Sequence, residues 1–343
     1  MKENNKIVFR LLEPKDICKF QEYICEHWNK DHIFAINTQL FDWQHKGKYS
    51  YHHMVAIQND HIVGVHGFIP MQQFDNGLPS DQLFLAIWKA QENNTGLGLY
   101  QNILKKYSPV FISSIGISSD VMPFYQWQKF DCGSMNHHVI LSPFIKNFNI
   151  ASIPSLKNYI NNKKTKRNDL HSFFEINKDQ LIRLNTDNIY SNQTPTKSDT
   201  FIINRYFNHP SYDYKIYALM SKDKIDALCV LRPVYLENNA VVLRFVDFIG
   251  PNQVFLILYD YLIDILSEYN AEYIDIYSYG VPLNILEESG FLNRKKIKNL
   301  IIPNYFEPFK RINIDLNYAY KDLKKDSPVR LFKADGDQDR PNY

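Results

Sequence analysis

Two glycines, Gly96 and Gly98, flank Leu97 between the apolar run Gln82–Ala90 and an amphipathic run at 99–107. At a helix entrance such a pair has three uses. It makes a plain turn, it stops the preceding strand, or it lets bare backbone N–H groups approach phosphate oxygens at a positive helix end. No GxGxxG and no closing Gly-Lys-Ser/Thr accompanies it, which removes the dinucleotide and P-loop readings. His66 lies between Gly64 and Gly67, where backbone or ligand can come close, although a lone strand histidine is commonly structural. Glu92 follows the apolar run as a possible base or a solvated loop residue, and Asp81 before it reads as a turn residue. His52–His53 and His137–His138 are adjacent pairs, so only one of each can face one side of a strand. Neither pair makes a metal site, and the four cysteines are scattered without a CxxC spacing. No metal is expected.

These residues need elements to position them. At 343 residues the chain suits two domains of roughly 150 residues each. Its 45% hydrophobic content can fill two cores. Along the first half a helix at 14–28 precedes two alternating strands around Asn59–Asp60. A third, doubly apolar strand at 82–90 leads to the helix of Gly96-Leu97-Gly98, then a strand at 110–118, a short helix at 120–130 and a closing strand at 135–143. The second half repeats that order: a hairpin at 214–236, strand 239–250, helix 253–269, strand 271–280 and short helix 282–291. The expected fold is therefore α/β, a mixed sheet in each of two tandem units, pseudo-duplicated. The expected boundaries are 1–150, a linker region at 151–178, and 179–343. The basic run 161–167 reads as solvated linker.

The 82–99 stretch, together with "VMPFYQWQKFDCGSMNHHVIL", resembles the coenzyme A region of the GNAT acyltransferases. In that fold a short Tyr-bearing helix ending in a Gly-Phe-like step precedes a strand; here the step is Lys129–Phe130. "FAINTQLFDWQH", "IVGVHGFIP", "LAIWKA", "GLGL" and the tail "FKADGDQDRPN" are similar to the tandem-GNAT sugar-nucleotide N-acyltransferases of bacteria. The resemblance implies that backbone at Thr95, Gly96, Leu97, Gly98 and Leu99 holds the pyrophosphate of coenzyme A. It also implies that the splayed strand end at Ile87, Trp88 and Lys89 bonds the pantetheine and polarises the thioester. In the second copy "FDFIGPNQVFL" has one glycine and a proline, and reads as a degenerate, structural repeat.

Acyl transfer to an amine needs a proton acceptor, an oxyanion site and a proton for the leaving thiolate. Under the resemblance His66 or Glu92 takes the first role and Tyr125 the last. Phe41, Asp42 and Trp43, in an expected loop, either stack a nucleobase and bond sugar hydroxyls or anchor the loop by a buried indole. His53 joins them as a candidate for the sugar site. The polar tail would be disordered by composition; the resemblance implies that it folds back, with Arg340 pairing a diphosphate, Asp337 or Asp339. The implied co-substrates are acyl-coenzyme A and a dTDP- or UDP-linked aminosugar for surface polysaccharide. An aminoacyl ligase of peptidoglycan precursors would need a basic surface for tRNA, against a net charge of +2. A decayed, non-catalytic module is the other alternative. No nucleic acid, no membrane insertion and a cytoplasmic location are expected, since no apolar signal segment or long apolar run is present.

Overall fold

A computed structural model describes residues 6–154, 170–190 and 193–341. The basic run at 161–167 and much of the expected linker lie outside the described residues. The first half forms β1 (Val8–Leu12), β2 (Tyr51–Gln58), β3 (His61–Pro70), β4 (Gln82–Ala90), β5 (Phe111–Ile115) and β6 (Asp131–Ser134). It continues into β7 (Asn136–Leu141). The second half forms β8 (His171–Ile176), β9 (Lys215–Ser221), β10 (Lys224–Tyr235), β11 (Val241–Ile249), β12 (Tyr273–Tyr279) and β13 (Leu292–Asn293). A small hairpin of β14 (Tyr305–Phe306) and β15 (Phe309–Lys310), then β16 (Asn317–Asp322) and β17 (Leu331–Phe332), complete the chain.

Each half follows the same local logic. Asn59 and Asp60 both take positive φ, 50° and 65°, as a two-residue hairpin turn requires, and so join β2 to β3. β4 runs parallel to β5, and the helix Asn93–Tyr107 makes the crossover. Helix Phe255–Glu268 does the same between the parallel strands β11 and β12, burying Phe255, Leu258, Leu262, Ile265 and Leu266. The short helices Met122–Trp127 and Leu283–Glu288 also correspond. Each ends at a left-handed residue, Lys129 at φ 63° and Gly290 at φ 89°, before a phenylalanine whose N–H returns to the helix. The expected duplication is present in the backbone, and the αL step tolerates lysine in one copy.

The sheets are interlocked. The first runs β1-β2-β3-β4-β5-β16-β6, and the second β13-β7-β12-β11-β10-β9-β8. The strand at 136–141, read above as closing the first half, pairs instead with β12 in the second sheet. Its counterpart place in the first sheet is taken by β16, which lies between β5 and β6. The expected linker region also contains a strand: β8 is the edge of the second sheet, paired along β9. Alternating apolar residues suit either sheet, so pairing at a distance made the choice.

The tail is buried between the sheets. β17 pairs with β12 at Ser278 and Tyr279, and the Ala334 N–H donates to the Val246 carbonyl of β11 at 3.0 Å. Its carboxylates meet cations from the second half. Lys197 Nζ lies 2.6 Å from Asp247 Oδ1 and 2.9 Å from Asp335 Oδ1. Arg232 grips Asp339 through Nε and Nη2 at 2.9 and 2.8 Å, and Tyr214 donates its hydroxyl at 2.8 Å. Burial alone would push the Asp339 carboxyl up; Arg232 overrides it and holds it well below the usual carboxylate range. Arg205 donates to the carbonyls of Ala334 and Gly336. The composition-based expectation of a disordered tail fails for this reason, and the resemblance-based expectation that it folds back holds.

Removing one partner of such a pair strands a buried charge. Asp339→Ala is expected to cost about 3–5 kcal/mol, read as a lower urea midpoint. An unchanged midpoint would mean that this pair does not hold the tail.

Candidate active site

β4 and β5 pair in parallel from Gln82↔Phe111 to Leu85↔Ser114, and there the pairing stops, although β4 continues to Ala90. On its other side β4 stays bonded to β3, with a bulge between the pairs Phe68↔Leu85 and His66↔Trp88. An extra residue in one strand raises the local twist and turns that strand away from its neighbour. β5 meanwhile turns toward β16, where the Gly116 N–H donates to the Asn317 carbonyl at 2.7 Å. The two strands therefore open into a V, and a cavity of about 730 Å³ occupies it. Ala86 to Ala90 form one wall and Ser114 to Ser118 the other. Buried backbone polar groups need partners, so the β4 edge from Ala86 to Ala90 is suited to an extended ligand bearing amides.

The far end of the V meets the helix Asn93–Tyr107. Gly96-Leu97-Gly98 lies within its first turns rather than in a preceding loop. The N-cap, Glu92, makes no side-chain cap, and the Thr95 and Gly96 N–H groups reach its carbonyl at 3.1 and 3.3 Å. Gly96 and Leu97 line the cavity. A Cβ on Gly96 would stand 3.4 Å from Trp88 Nε1, in ordinary contact. Gly98 serves a different purpose, because a Cβ there would lie 2.4 Å from Phe9 Cζ. Its bare backbone admits β1 against the helix. Thr95 and Leu99 are buried and face Gly64. Of the residues expected to hold the cofactor, Ile87, Trp88, Lys89, Gly96 and Leu97 line the cavity; Thr95, Gly98 and Leu99 pack the helix to the sheet.

Tyr125 projects from the short helix into the cavity wall and is 1% exposed. Burial pushes its phenol well up, with a hydrogen bond to Ser114 partly offsetting, so it stays protonated through the neutral range. Glu92 is exposed at the cavity rim. His66 does not line the cavity. It is fully buried, stacked on Trp88 at 4.6 Å with parallel rings, and neither ring nitrogen has a hydrogen-bond partner. Burial lowers its pKa to about 3. The expectation that His66 accepts a proton is corrected: Trp88 stands between it and the site.

The expected sugar-binding loop is a helix, Thr38–His45, capped by the Asn37 side chain, which accepts the Leu40 N–H. Phe41 is stacked between Phe20 and Tyr51 in the core. Asp42 accepts from the Tyr51 hydroxyl and Lys46. The Trp43 indole donates to the Asn204 carbonyl at 3.1 Å and packs on His209. His53 is buried against Phe20, Phe41 and His45. None of these four lines the cavity. The packing alternative is the one realised for Phe41 and Trp43, whose helix turns its apolar face inward; Asp42 is taken up by Tyr51 and Lys46, and His53 is corrected from a ligand contact to a buried residue of β2.

The tail residues do reach the site. Asp337, Gln338 and Arg340 line the cavity and also a second chamber of about 270 Å³ beside it. Arg340 Nε lies 3.6 Å from Asp337 Oδ2, and the guanidinium sits 5.0 Å over the Phe34 ring. Gly116, at φ 80°, forms part of both walls; a Cβ there would meet the Gln338 side chain at 2.2 Å. Trp28 stands at the mouth of both spaces and is 45% exposed. Sequence reasoning missed Trp28, Ser114, Gly116 and Gln338, along with Tyr212, Asn304 and Lys333 of the second chamber. The glycine ending an apolar strand was the available signal for Gly116.

No family model and no curated protein sequence matches this chain. Solved structures resemble it in shape. A GCN5-related N-acetyltransferase from Anabaena variabilis ATCC 29413 superposes with TM-score 0.53 at 11% identity, covering 93% of this chain and 73% of that one. A conserved protein of unknown function from Enterococcus faecalis V583, described as a probable N-acyltransferase, gives 0.53 at 8%, with coverage of 93% and 73%. A GCN5-related N-acetyltransferase from Kribbella flavida gives 0.50 at 6%, with coverage of 92% and 70%. These likenesses establish the fold, a mixed α/β architecture of two GNAT-like units spanning nearly the whole chain. Among the described residues no group of side chains could hold a metal ion, and no helix is long and apolar enough to cross a membrane.

The buried imidazoles set an acid limit. Burial holds His32, His52 and His66 at about 3, 4 and 3, below the unfolded value near 6.5. Below pH 6.5 the unfolded chain takes up protons that the folded chain refuses. Stability is therefore full above that pH and falls as pH drops toward 4, by up to roughly 1.4 kcal/mol per unit for each histidine. His66→Phe should shrink this loss in a pH series of melting midpoints and leave acetyl-coenzyme A binding unchanged. Lost binding in a variant that still melts cooperatively would return His66 to the site.

Proposed function

We propose that the chain is a coenzyme A-dependent N-acyltransferase whose acceptor is the amine of a nucleotide-linked aminosugar. The observation that carries the transferase reading is the V between β4 and β5, with an open strand edge on one wall and a helix N-terminus at its end. The β4 backbone from Ala86 to Ala90 would bond the two amides of a pantetheine arm. The positive helix end, with the first-turn N–H groups of Asn93 and Asn94 and the bare backbone of Gly96 against the cavity, would hold the pyrophosphate. A β4 N–H directed at the thioester oxygen would stabilise the oxyanion, and such a donor contributes about 2.7–4 kcal/mol to the barrier.

The acceptor would enter from the second chamber and meet the thioester at the wall shared by Gly116, Asp337 and Gln338. The amine attacks the carbonyl carbon directly; the C–N bond forms, the C–S bond breaks and coenzyme A leaves as thiolate. The amine proton passes to a carboxylate, Asp337 or Glu92, both of which line the cavity. Tyr125 donates its phenolic proton to the sulfur, a role its buried, protonated state supports. No covalent enzyme intermediate is needed. Arg340, beside Asp337, is suited to the phosphate side of a dTDP- or UDP-linked sugar. The first unit carries the coenzyme A slot, the tail adds Asp337, Gln338 and Arg340 to it, and the second unit's own wedge is the structural counterpart.

Thermal shift with acetyl-coenzyme A tests the reading, because a ligand of the native state raises the midpoint by mass action. Gly96→Asp should abolish the shift. An acidic residue in the first helical turn favours the helix itself, so the loss would report charge against the pyrophosphate rather than misfolding. Tyr125→Phe should keep the shift and lower kcat by about 10²–10⁴. A cooperative melt that acetyl-coenzyme A leaves unmoved would defeat the proposal.

A further inference from the structure

The second chamber has an electrostatic feature that the acyltransferase reading leaves unused. Lys333 lies in its lining and is 6% exposed. Its ammonium donates to Asn304 Oδ1 at 2.5 Å and lies 5.8 Å over the Tyr277 ring. That amide oxygen is shared with a second cation, since Arg244 Nη1 also donates to it at 3.2 Å. Among the described residues no carboxylate is within ion-pair distance of Lys333. The nearest acids are committed elsewhere: Asp339 to Arg232, and Asp275 to Arg244 and His137. Burial, and then Arg244, push the Lys333 ammonium well below its ordinary range. A buried cation without a counter-ion is costly, and an anion entering the chamber would relieve that cost.

The chamber lining also carries the cations Arg232 and Arg340, each beside a tail carboxylate, and two acids. Asp337 and Glu307 are those acids, and Asp337 stands on the wall shared with the larger cavity. Lys333, unlike Arg340, lines the chamber and not the larger cavity. At about 270 Å³ the space holds roughly nine waters at about 30 Å³ each, the size of one sugar ring with a substituent. The chamber shares Trp28, Gly116, Asp337, Gln338 and Arg340 with the larger cavity, so a larger acceptor would extend beyond it.

We infer that the second chamber binds an acceptor bearing an anionic group, a carboxylate or a phosphate, with Lys333 as the residue that holds it and the amine directed at Asp337. The inference deepens the proposed function and rests on it for the amine's fate, but the anion subsite can be tested without turnover. The anionic group accepts hydrogen bonds from the Lys333 ammonium, and Tyr212 and Asn304 also line the chamber. Charge-assisted bonds of this kind are the strong ones. Lys333 is here a specificity residue: it would select among amines by what they carry at a distance from the nitrogen.

The experiment is a thermal-shift and isothermal titration series on the full chain. Its probes are glucosamine, glucosamine 6-phosphate and 2-amino-2-deoxyglucuronate, and acetyl-coenzyme A is titrated separately. One or both anionic probes should bind and stabilise the protein, while glucosamine should not; which of the two binds distinguishes phosphate from carboxylate. Lys333→Met should weaken that probe by about tenfold or more and leave the acetyl-coenzyme A shift intact. The variant's own midpoint should equal or exceed the natural one, because an uncompensated buried charge has been removed. Equal binding of glucosamine, no binding of either anionic probe, or full retention of anionic binding in a folded Lys333→Met would overturn the inference. Anionic binding without acetyl-coenzyme A binding would keep the subsite and lose the acyltransferase. The reverse pattern would lose only the subsite.

Discussion

Two parallel strands that diverge leave backbone donors and acceptors facing an empty wedge, and a folded chain must fill that wedge or reserve it. This molecule does each once. Between β11 and β12 regular pairing ends at Phe245↔Ile276, and the chain's own tail enters, pairing β17 to β12 and bonding Ala334 to Val246. Between β4 and β5 pairing ends at Leu85↔Ser114, and the wedge is a cavity. The same local backbone geometry thus gives a structural seam in one unit and a candidate ligand slot in the other. The second unit's entrance is closed by side chains as well, since Arg330 donates to the Gly250 carbonyl and to Asn252 at the helix start.

A seam made from a polar tail imposes its own electrostatics. Asp335, Asp337 and Asp339 are all buried, and a buried carboxylate persists only with partners. Lys197 and Arg232 supply them to Asp335 and Asp339, Arg340 of the tail itself stands beside Asp337, and Arg205 ties down the intervening carbonyls. Once held, the tail delivers Gln338 to Gly116 and Arg340 to the cavity lining, so this part of the cavity is positioned by charges far from it in sequence. The interchange of β7 and β16 fixes the two sheets to each other on the same side. The site at their junction is in consequence a product of both units.

Periodicity was enough for the repeated hairpin, strand, helix, strand and short-helix succession of each half, and not for β1, β6, β8, β16, β17 or the helix Thr38–His45. The alternating and doubly apolar runs, the Asn59–Asp60 turn and the repeated strand-helix succession all appear where the residues placed them, because these signals are local. Tyr125 was legible through the short helix and its Phe130 step. Gly96 was legible as bare backbone at a helix start. His66, Phe41 and Trp43 were left between two roles and Gly98 was misread for one common reason: residue type and spacing state what a side chain can do, while the direction it faces depends on what packs against it. His66 met Trp88, Gly98 met Phe9, and the helix Thr38–His45 turned its aromatic face to the core.

By itself, then, the sequence determined the α/β alternation, the duplication, the glycine-bearing helix entrance and a tail too acidic to be buried alone. Tertiary structure decided which sheet received β7 and β16, which wedge stayed open, and that Lys333 would line a chamber with no carboxylate within ion-pair distance among the described residues. Those outcomes depend on contacts between residues distant along the chain. Strand exchange, counter-charge supply and cavity formation are long-range choices among locally equivalent options, and hydrophobic pattern does not distinguish them.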